Sequence, residues 1–197
     1  MTSLLWVLFA FACGSLPFSY WIGKVFLHVD IRRYGDGNPG GSNAWRAGGK
    51  VWGMIAILAD AIKGLIPVLL AQHVGALSGW PLAAVAVAAL LGHAYSPLLG
   101  LRGGKALAIT FGVWTGLAAW QAPVVLGITL ALALKLLRND GRAVLTGMVV
   151  LLIYGLAFNR SPVLLAVWAA NTLLLLVKYR ADLRGQTMEV TVDGQTR

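Results

Sequence analysis

Residues Ala106–Leu134 read ALAITFGVWTGLAAWQAPVVLGITLALAL, a run without one charged side chain. A helix that crosses a bilayer needs about 20 apolar residues, within a range of about 17–25. This run is long for one span and short for two. Gln121-Ala122-Pro123 lies near its middle. Pro123 suits the first turn of a new helix and drives the residue before it out of helical geometry. The run therefore predicts two short helices broken at that tripeptide.

The flanking sequence supplies five more apolar runs: Leu4–Gly23, Val51–Gln72, Gly75–Leu101, Ala143–Asn159 and Ser161–Val177. Lys and Arg favour the cytoplasmic side of a membrane, which makes their distribution an independent test. With two helices in 106–134 and the N-terminus outside, 14 of the 16 cations face the cytoplasm, Arg160 alone faces out, and Lys63 lies within a span. With one helix there, the split is eight against seven. The first arrangement is far more biased. It predicts an all-α polytopic membrane protein of about seven transmembrane helices, N-terminus outside and C-terminus cytoplasmic. Residues 1–180 would form a single integral membrane domain and 181–197 a polar cytoplasmic tail.

Composition agrees. The chain has 197 residues, 58% of them hydrophobic and 12% charged, against about a quarter charged in soluble domains. A net charge of +9 would suggest nucleic acid in a soluble protein. Here the charges punctuate apolar segments, so topology and anionic headgroups account for them and no nucleic-acid partner is expected. No Lys or Arg precedes the first apolar run and no clear cleavage site follows it, so it reads as a retained span. Cys13 is the only cysteine, which excludes an internal disulfide and a thiolate metal cluster. No His, Cys, Asp or Glu grouping has metal-site spacing.

Two Gly-rich stretches carry the chemistry, and both fall on the cytoplasmic face. The first holds Gly35, Gly37, Asn38, Pro39, Gly40, Gly41, Ser42, Asn43 and Arg46. Glycines let backbone amides surround an anion; Asn38, Ser42 and Asn43 add neutral hydrogen-bonding groups, and Arg46 adds a fork donor for phosphate. The second runs from His93 to Arg102-Gly103-Gly104-Lys105 before a helix whose first amides are unpaired, an arrangement that attracts anions. Its spacing is not that of a P-loop. Asp60 and Lys63 share a helical face and can pair inside a span; ionisable groups there default to function, while a pair can equally serve to fasten helices together. Two anion-binding loops on one face suggest two phosphate-bearing partners, or one large one.

Three passages resemble the family of acyl-phosphate-dependent glycerol-3-phosphate acyltransferases, bacterial membrane enzymes. They are Gly14-Ser15-Leu16-Pro17-Phe18-Ser19-Tyr20 leading through Gly23-Lys24 and Asp30-Ile31-Arg32 into the first Gly-rich loop, Asp60-Ala61-Ile62-Lys63-Gly64, and Gly92-His93 through Gly103-Gly104-Lys105. The match covers roughly residues 14–112. Asp36 stands where the family has Ser and Ala106 where it has Gly, and Lys178–Gly185 lacks the family's last His and Asn.

The resemblance implies a multi-pass protein of the bacterial inner membrane with its active site facing the cytoplasm. It implies transfer of an acyl group from acyl phosphate to glycerol 3-phosphate, giving 1-acylglycerol 3-phosphate for phospholipid synthesis, with membrane lipid as the surround and no cofactor or metal. Ser42, Lys105 and His93 would be catalytic. Gly35, Gly37, Asn38, Gly41, Asn43, Arg46, Arg102, Gly103 and Gly104 would bind substrate, with Asp60 and Lys63 supporting. The alternatives are a relative that acts on another substrate or merely binds a phosphorylated lipid precursor, and a small anion transporter. Transport is disfavoured, because the polar residues cluster on one face.

Overall fold

Pro17 divides the first apolar run. Helix α1 (Ser3–Ser15) ends before it and α2 (Phe18–Phe26) begins after it. The proline ring removes a backbone donor and holds Leu16 extended (φ −63°, ψ 119°). The Leu16 carbonyl, freed from a helical ladder, accepts a hydrogen bond from Lys63 Nζ at 2.5 Å. These relations come from a computed structural model that describes residues 2–118 and 120–186.

Helix α3 (Gly41–His73) is bent at Gly49, whose φ of 76° and ψ of −171° are open to glycine and costly for a residue with a Cβ. The polar stretch before Val51 reads as a loop in the sequence. Its final part, residues 41–48, is instead helical, because the bend at Gly49 lets a short polar segment leave the axis of the long apolar one. Pro67 sits buried within α3, four residues past Lys63, where it withholds a donor from that turn.

The remaining helices are α4 (Gly79–Ala94), α5 (Leu107–Ala118), α6 (Gln121–Leu137), α7 (Asp140–Phe158), α8 (Pro162–Lys178) and the single turn α9 (Arg180–Leu183). The expected division of the longest apolar run falls between α5 and α6, with Pro123 in the first turn of α6. Side chains cap two of the starts: Asn139 Oδ1 accepts from Arg142 N at 2.9 Å and Ser161 Oγ from Leu164 N at 3.4 Å.

Four segments are long and apolar enough to cross a membrane: Ser3–Phe26, Gly41–His73, Gly79–Leu99 and Asp140–Phe158. Three further apolar helices, Leu107–Leu117, Gln121–Leu137 and Pro162–Lys178, are shorter. At about 1.5 Å per residue, α5 reaches roughly 18 Å of a hydrocarbon layer about 30 Å thick.

Helix α1 packs chiefly on α4, α3 on α5, and α6 on α7, and α4 also meets α3, α5 and α8. Small residues set these approaches, as expected where lipid tails compete with apolar side chains. Gly112 of α5 lies against the backbone carbonyl of Ala61 in α3, leaving no room for a Cβ. Residues 181–186 turn back onto the bundle and bury Asp182; the expected tail's remainder, 187–197, lies outside the described residues.

A paired substitution tests this packing. Gly112→Ala should lower stability by about 2 kcal/mol or more through overpacking. Gly155→Ala in α7, where a Cβ meets nothing within 4 Å, should leave stability unchanged or raise it by up to about 1 kcal/mol. Thermal melting of the two purified proteins in one detergent reads both; equal midpoints would contradict the assigned contact.

Candidate functional site

The loop between α2 and α3, the loop between α4 and α5, and the turn after α8 converge at one end of the bundle. Lys105 joins all three. Its Nζ stands 2.6 Å from Asp36 Oδ2 on the first loop and 2.6 Å from Asp182 Oδ2 on the last. The Tyr179 ring lies 4.7 Å from the same ammonium.

Asp36 is fixed by its own loop. Its Oδ1 accepts from the backbone N–H of Asn38 at 3.1 Å and from Asn43 Nδ2 at 2.9 Å. Asn43 Nδ2 also donates to the Asn38 carbonyl (2.9 Å), and Arg46 donates from a terminal nitrogen to Asn43 Oδ1 (2.9 Å). Gly35 and Gly37 take the left-handed φ values of 54° and 74° that this coil demands, and Gly41 starts α3 packed against Ile57. Asn43 is buried, whereas Ser42 and Arg46 are exposed.

Burial works against the charge of Asp36, but Lys105 and the donors of Asn38 and Asn43 outweigh it and hold the carboxyl below the ordinary carboxylate range. Burial likewise pulls Lys105 down, and the hydrogen bonds of Asp182 and Asp36 override it, so its pKa is raised. Both groups are charged at neutral pH.

Beneath the second loop lies a buried polar cluster. Gly103 and Gly104 pack directly on His93, and Gly104 N donates to the His93 carbonyl at 3.1 Å. Lys178 Nζ ties the end of α8 to the same place, donating to the carbonyls of Ala94 (2.9 Å) and Gly103 (3.0 Å). Deeper, Lys63 and Asp60 pair at 2.7 Å, Ser19 Oγ donates to Asp60 Oδ2, and His93 Nδ1 is 3.9 Å from Asp60 Oδ1. The pair of α3 thus fastens α2 and the α1–α2 break.

Two cavities meet at Lys105. One is an open cleft of about 560 Å³ whose wall includes Asp36, Asn38, Arg102, Lys105, Lys178 and Arg180. The other, about 250 Å³, runs from Ser42, His93 and Lys105 along Ile57, Leu107 and Phe111. The first carries four cationic side chains on its wall, and the second sets Ser42, Asp60, His93 and Lys105 beside an apolar lining. Among the described residues, only Asn38 and Lys105 line both.

The two Gly-rich stretches are thus brought together. Tyr179 and Asp182 belong to the site although reading the sequence passes over them. One signal was available: the chain has only seven acidic residues, and an Asp within a basic terminal segment calls for a partner.

A family model described as glycerol-3-phosphate acyltransferase matches residues 4–187. The chain is 36% identical over 191 residues to glycerol-3-phosphate acyltransferase 1 of Thermotoga maritima, spanning 88% of this chain and 92% of that one. It is 39% identical over 183 residues to the glycerol-3-phosphate acyltransferase of Anaeromyxobacter dehalogenans, 88% of each. Among solved structures it is similar to PlsY (YgiH), an integral membrane glycerol 3-phosphate acyltransferase. The glycerol 3-phosphate form superposes with a TM-score of 0.85 at 27% identity over 95% of this chain and 94% of that one. The lysophosphatidic acid form gives 0.81 at 25% identity over 98% and 97%.

The Asp36–Lys105 contact has a pH signature. A carboxyl with a depressed folded pKa stabilises above its unfolded value, and the gain is lost as pH falls through the folded one; a lysine with a raised pKa behaves oppositely, losing its gain as pH rises. Asp36→Ala should therefore cost about 1–2 kcal/mol, steady from about pH 5 to 9. The gap to the parent should close below about pH 4. Melting both proteins across that range checks it; a gap unchanged at about pH 3 would refute the pairing.

Proposed function

The chain belongs to the glycerol-3-phosphate acyltransferase family, and from that premise we propose that it uses acyl phosphate as donor and carries out the transfer at Lys105. It is a membrane acyltransferase of phospholipid synthesis. The observation that carries the reading is that Lys105 lines both the cationic cleft and the apolar-walled cavity. A phosphorylated, water-soluble acceptor suits the first, and an acyl chain with a phosphate head suits the second.

In this reading glycerol 3-phosphate lies in the cleft with its phosphate toward Arg102 and Arg180. The acyl chain follows Ile57, Leu107 and Phe111, with the acyl phosphate head at Ser42, Lys105 and the start of α3. The primary hydroxyl oxygen attacks the acyl carbonyl carbon. A new C–O ester bond forms, the bond from that carbon to the phosphate oxygen breaks, and the departing phosphate carries off the hydroxyl proton. The products are 1-acylglycerol 3-phosphate and phosphate.

Lys105, the Ser42 hydroxyl and the first amides of α3 stabilise the charge that develops. Asn38 and Gly41 line the cavity that receives the donor head, Gly37 lines the acceptor cleft, and Gly35, Asn43 and Arg46 hold the shape of the loop behind them. Asn43, buried and bonded to both Asp36 and Arg46, orients the two. His93, covered by Gly103 and Gly104, acts by holding the turn that delivers Lys105, and Asp60 with Lys63 supports it from below. Holding two bound substrates in reach of one another supplies much of the remaining rate.

The topology we propose has seven spans in a bacterial inner membrane, with α1 and α2 together forming the first, the N-terminus outside and the site facing the cytoplasm. The bias of Lys and Arg toward the site's end supports it.

Phosphate release by the purified protein should require acyl phosphate and glycerol 3-phosphate together, and Lys105→Ala should lower it at least about 100-fold. Release that ignores the acceptor, or survives in Lys105→Ala, would overturn the reading. In a Cys13→Ala background, a membrane-impermeant maleimide applied to intact spheroplasts should label Arg160→Cys and spare Arg33→Cys. The reverse pattern would invert the topology.

A further inference from the structure

The bundle carries a further cavity at the end away from Lys105. It measures about 230 Å³ and lies among the later turns of α5 and α7 and the first turns of α6 and α8. Its wall includes Trp114, Gln121, Tyr154, Gly155, Asn159 and Trp168, with leucines between them. Lys105 precedes α5 and Lys178 ends α8, so the length of the helices parts this cavity from the site already described.

Among the described residues, no charged side chain lines it. Arg160, next to Asn159, turns its Nε to the Leu156 carbonyl at 3.0 Å and stays outside the lining. A phosphate or carboxylate would lose its water here with no cation to replace it. The wall also holds an unspent donor. Trp168 Nε1 donates to the Met148 carbonyl at 2.8 Å. Trp114 is only 5% exposed, and its Nε1–H has no acceptor among the described residues. A buried Trp N–H usually finds a partner, and leaving one unpaired is costly. Gln121 and Asn159, both exposed, and the half-buried Tyr154 add amide and hydroxyl groups.

We propose that this cavity binds an uncharged acylglycerol drawn from the bilayer. The Trp114 N–H donates to its ester carbonyl, and its hydroxyls meet the amides of Gln121 and Asn159. The first carbons of the chain lie against Leu151, Leu164 and Trp168. Sites for whole small ligands run to about 300–1,000 Å³, so this one takes a head group and the start of a chain, and the rest lies in lipid. A neutral glyceride brings no charge to desolvate and supplies the acceptor that Trp114 lacks. A charged counterpart, 1-acylglycerol 3-phosphate, offers the same ester and chain, but its phosphate finds no cation here. The inference rests on the cavity alone and would stand without the acyltransferase reading.

The full-length protein in phosphatidylcholine nanodiscs, doped with a monoacylglycerol that carries a diazirine beside its ester, tests the proposal. On illumination the probe should crosslink saturably within residues 151–168, as mapped by mass spectrometry of the peptides. Unlabelled monoacylglycerol should compete, and 1-acylglycerol 3-phosphate should compete at least about tenfold less well. Trp114→Phe keeps an aromatic ring and removes the N–H; it should raise the half-saturating probe level about three- to tenfold. Gly155→Leu fills the space, since a Cβ there meets nothing within 4 Å, and should abolish the labelling. Thermal melting in the same nanodiscs reports whether each variant is folded. Should Gly155→Leu fail to fold, Trp114→Phe still decides. Labelling that rises linearly with probe, persists in folded Gly155→Leu, is unmoved by Trp114→Phe, or yields equally to 1-acylglycerol 3-phosphate would overturn the inference.

Discussion

A lysine ammonium taken out of water has to be answered by an acceptor, and three such answers hold this protein in shape. Lys63 is answered by Asp60 and the Leu16 carbonyl, Lys105 by Asp36 and Asp182, and Lys178 by the carbonyls of Ala94 and Gly103. Each joins segments far apart in the chain. Lys63 locks α3 to the break between α1 and α2, Lys105 draws the first loop to the terminal turn, and Lys178 closes the end of α8 over the second loop. Packing of small residues brings the helices together, but these charges decide which loops meet.

Much of this was legible in the sequence because the membrane imposes it. Apolar length, the proline at 123 and the spread of cations were enough to place the helices and to divide α5 from α6. Two features escaped for local reasons. The helical character of residues 41–48 was hidden by its polar, Gly-rich composition, which reads as loop until the bend at Gly49 is known. The division at Pro17 was masked by an unbroken apolar run, since hydropathy says nothing about whether a spanning helix is continuous.

The site was legible in part. Both Gly-rich stretches and the Asp60–Lys63 pair announce themselves, the first by glycines set among hydrogen-bonding side chains and the second by charge within a span. What could not be read was the partner of each charge. Asp182 meets Lys105 across 77 positions of sequence, and no spacing rule reaches that far. Asp36 stands where the family has Ser, and in the fold its carboxylate is turned onto Lys105 and anchored by Asn38 and Asn43. The resemblance makes His93 catalytic; in the fold its ring lies under Gly104 and lines the cavity of Ser42 and Lys105.

The break at Pro17 bears on how the protein is made. A polytopic chain enters the membrane from its N-terminus, so α1 and α2 are inserted, with the Leu16 carbonyl outside any helical ladder, before α3 emerges. An Asp or a Lys near the centre of a span opposes insertion by about 2.5–3.5 kcal/mol each. In α3 they enter three residues apart, already neutralising one another, and find a carbonyl and the Ser19 hydroxyl waiting. The first helix pair therefore holds ready the acceptor and donor that the charged pair of α3 meets in the fold.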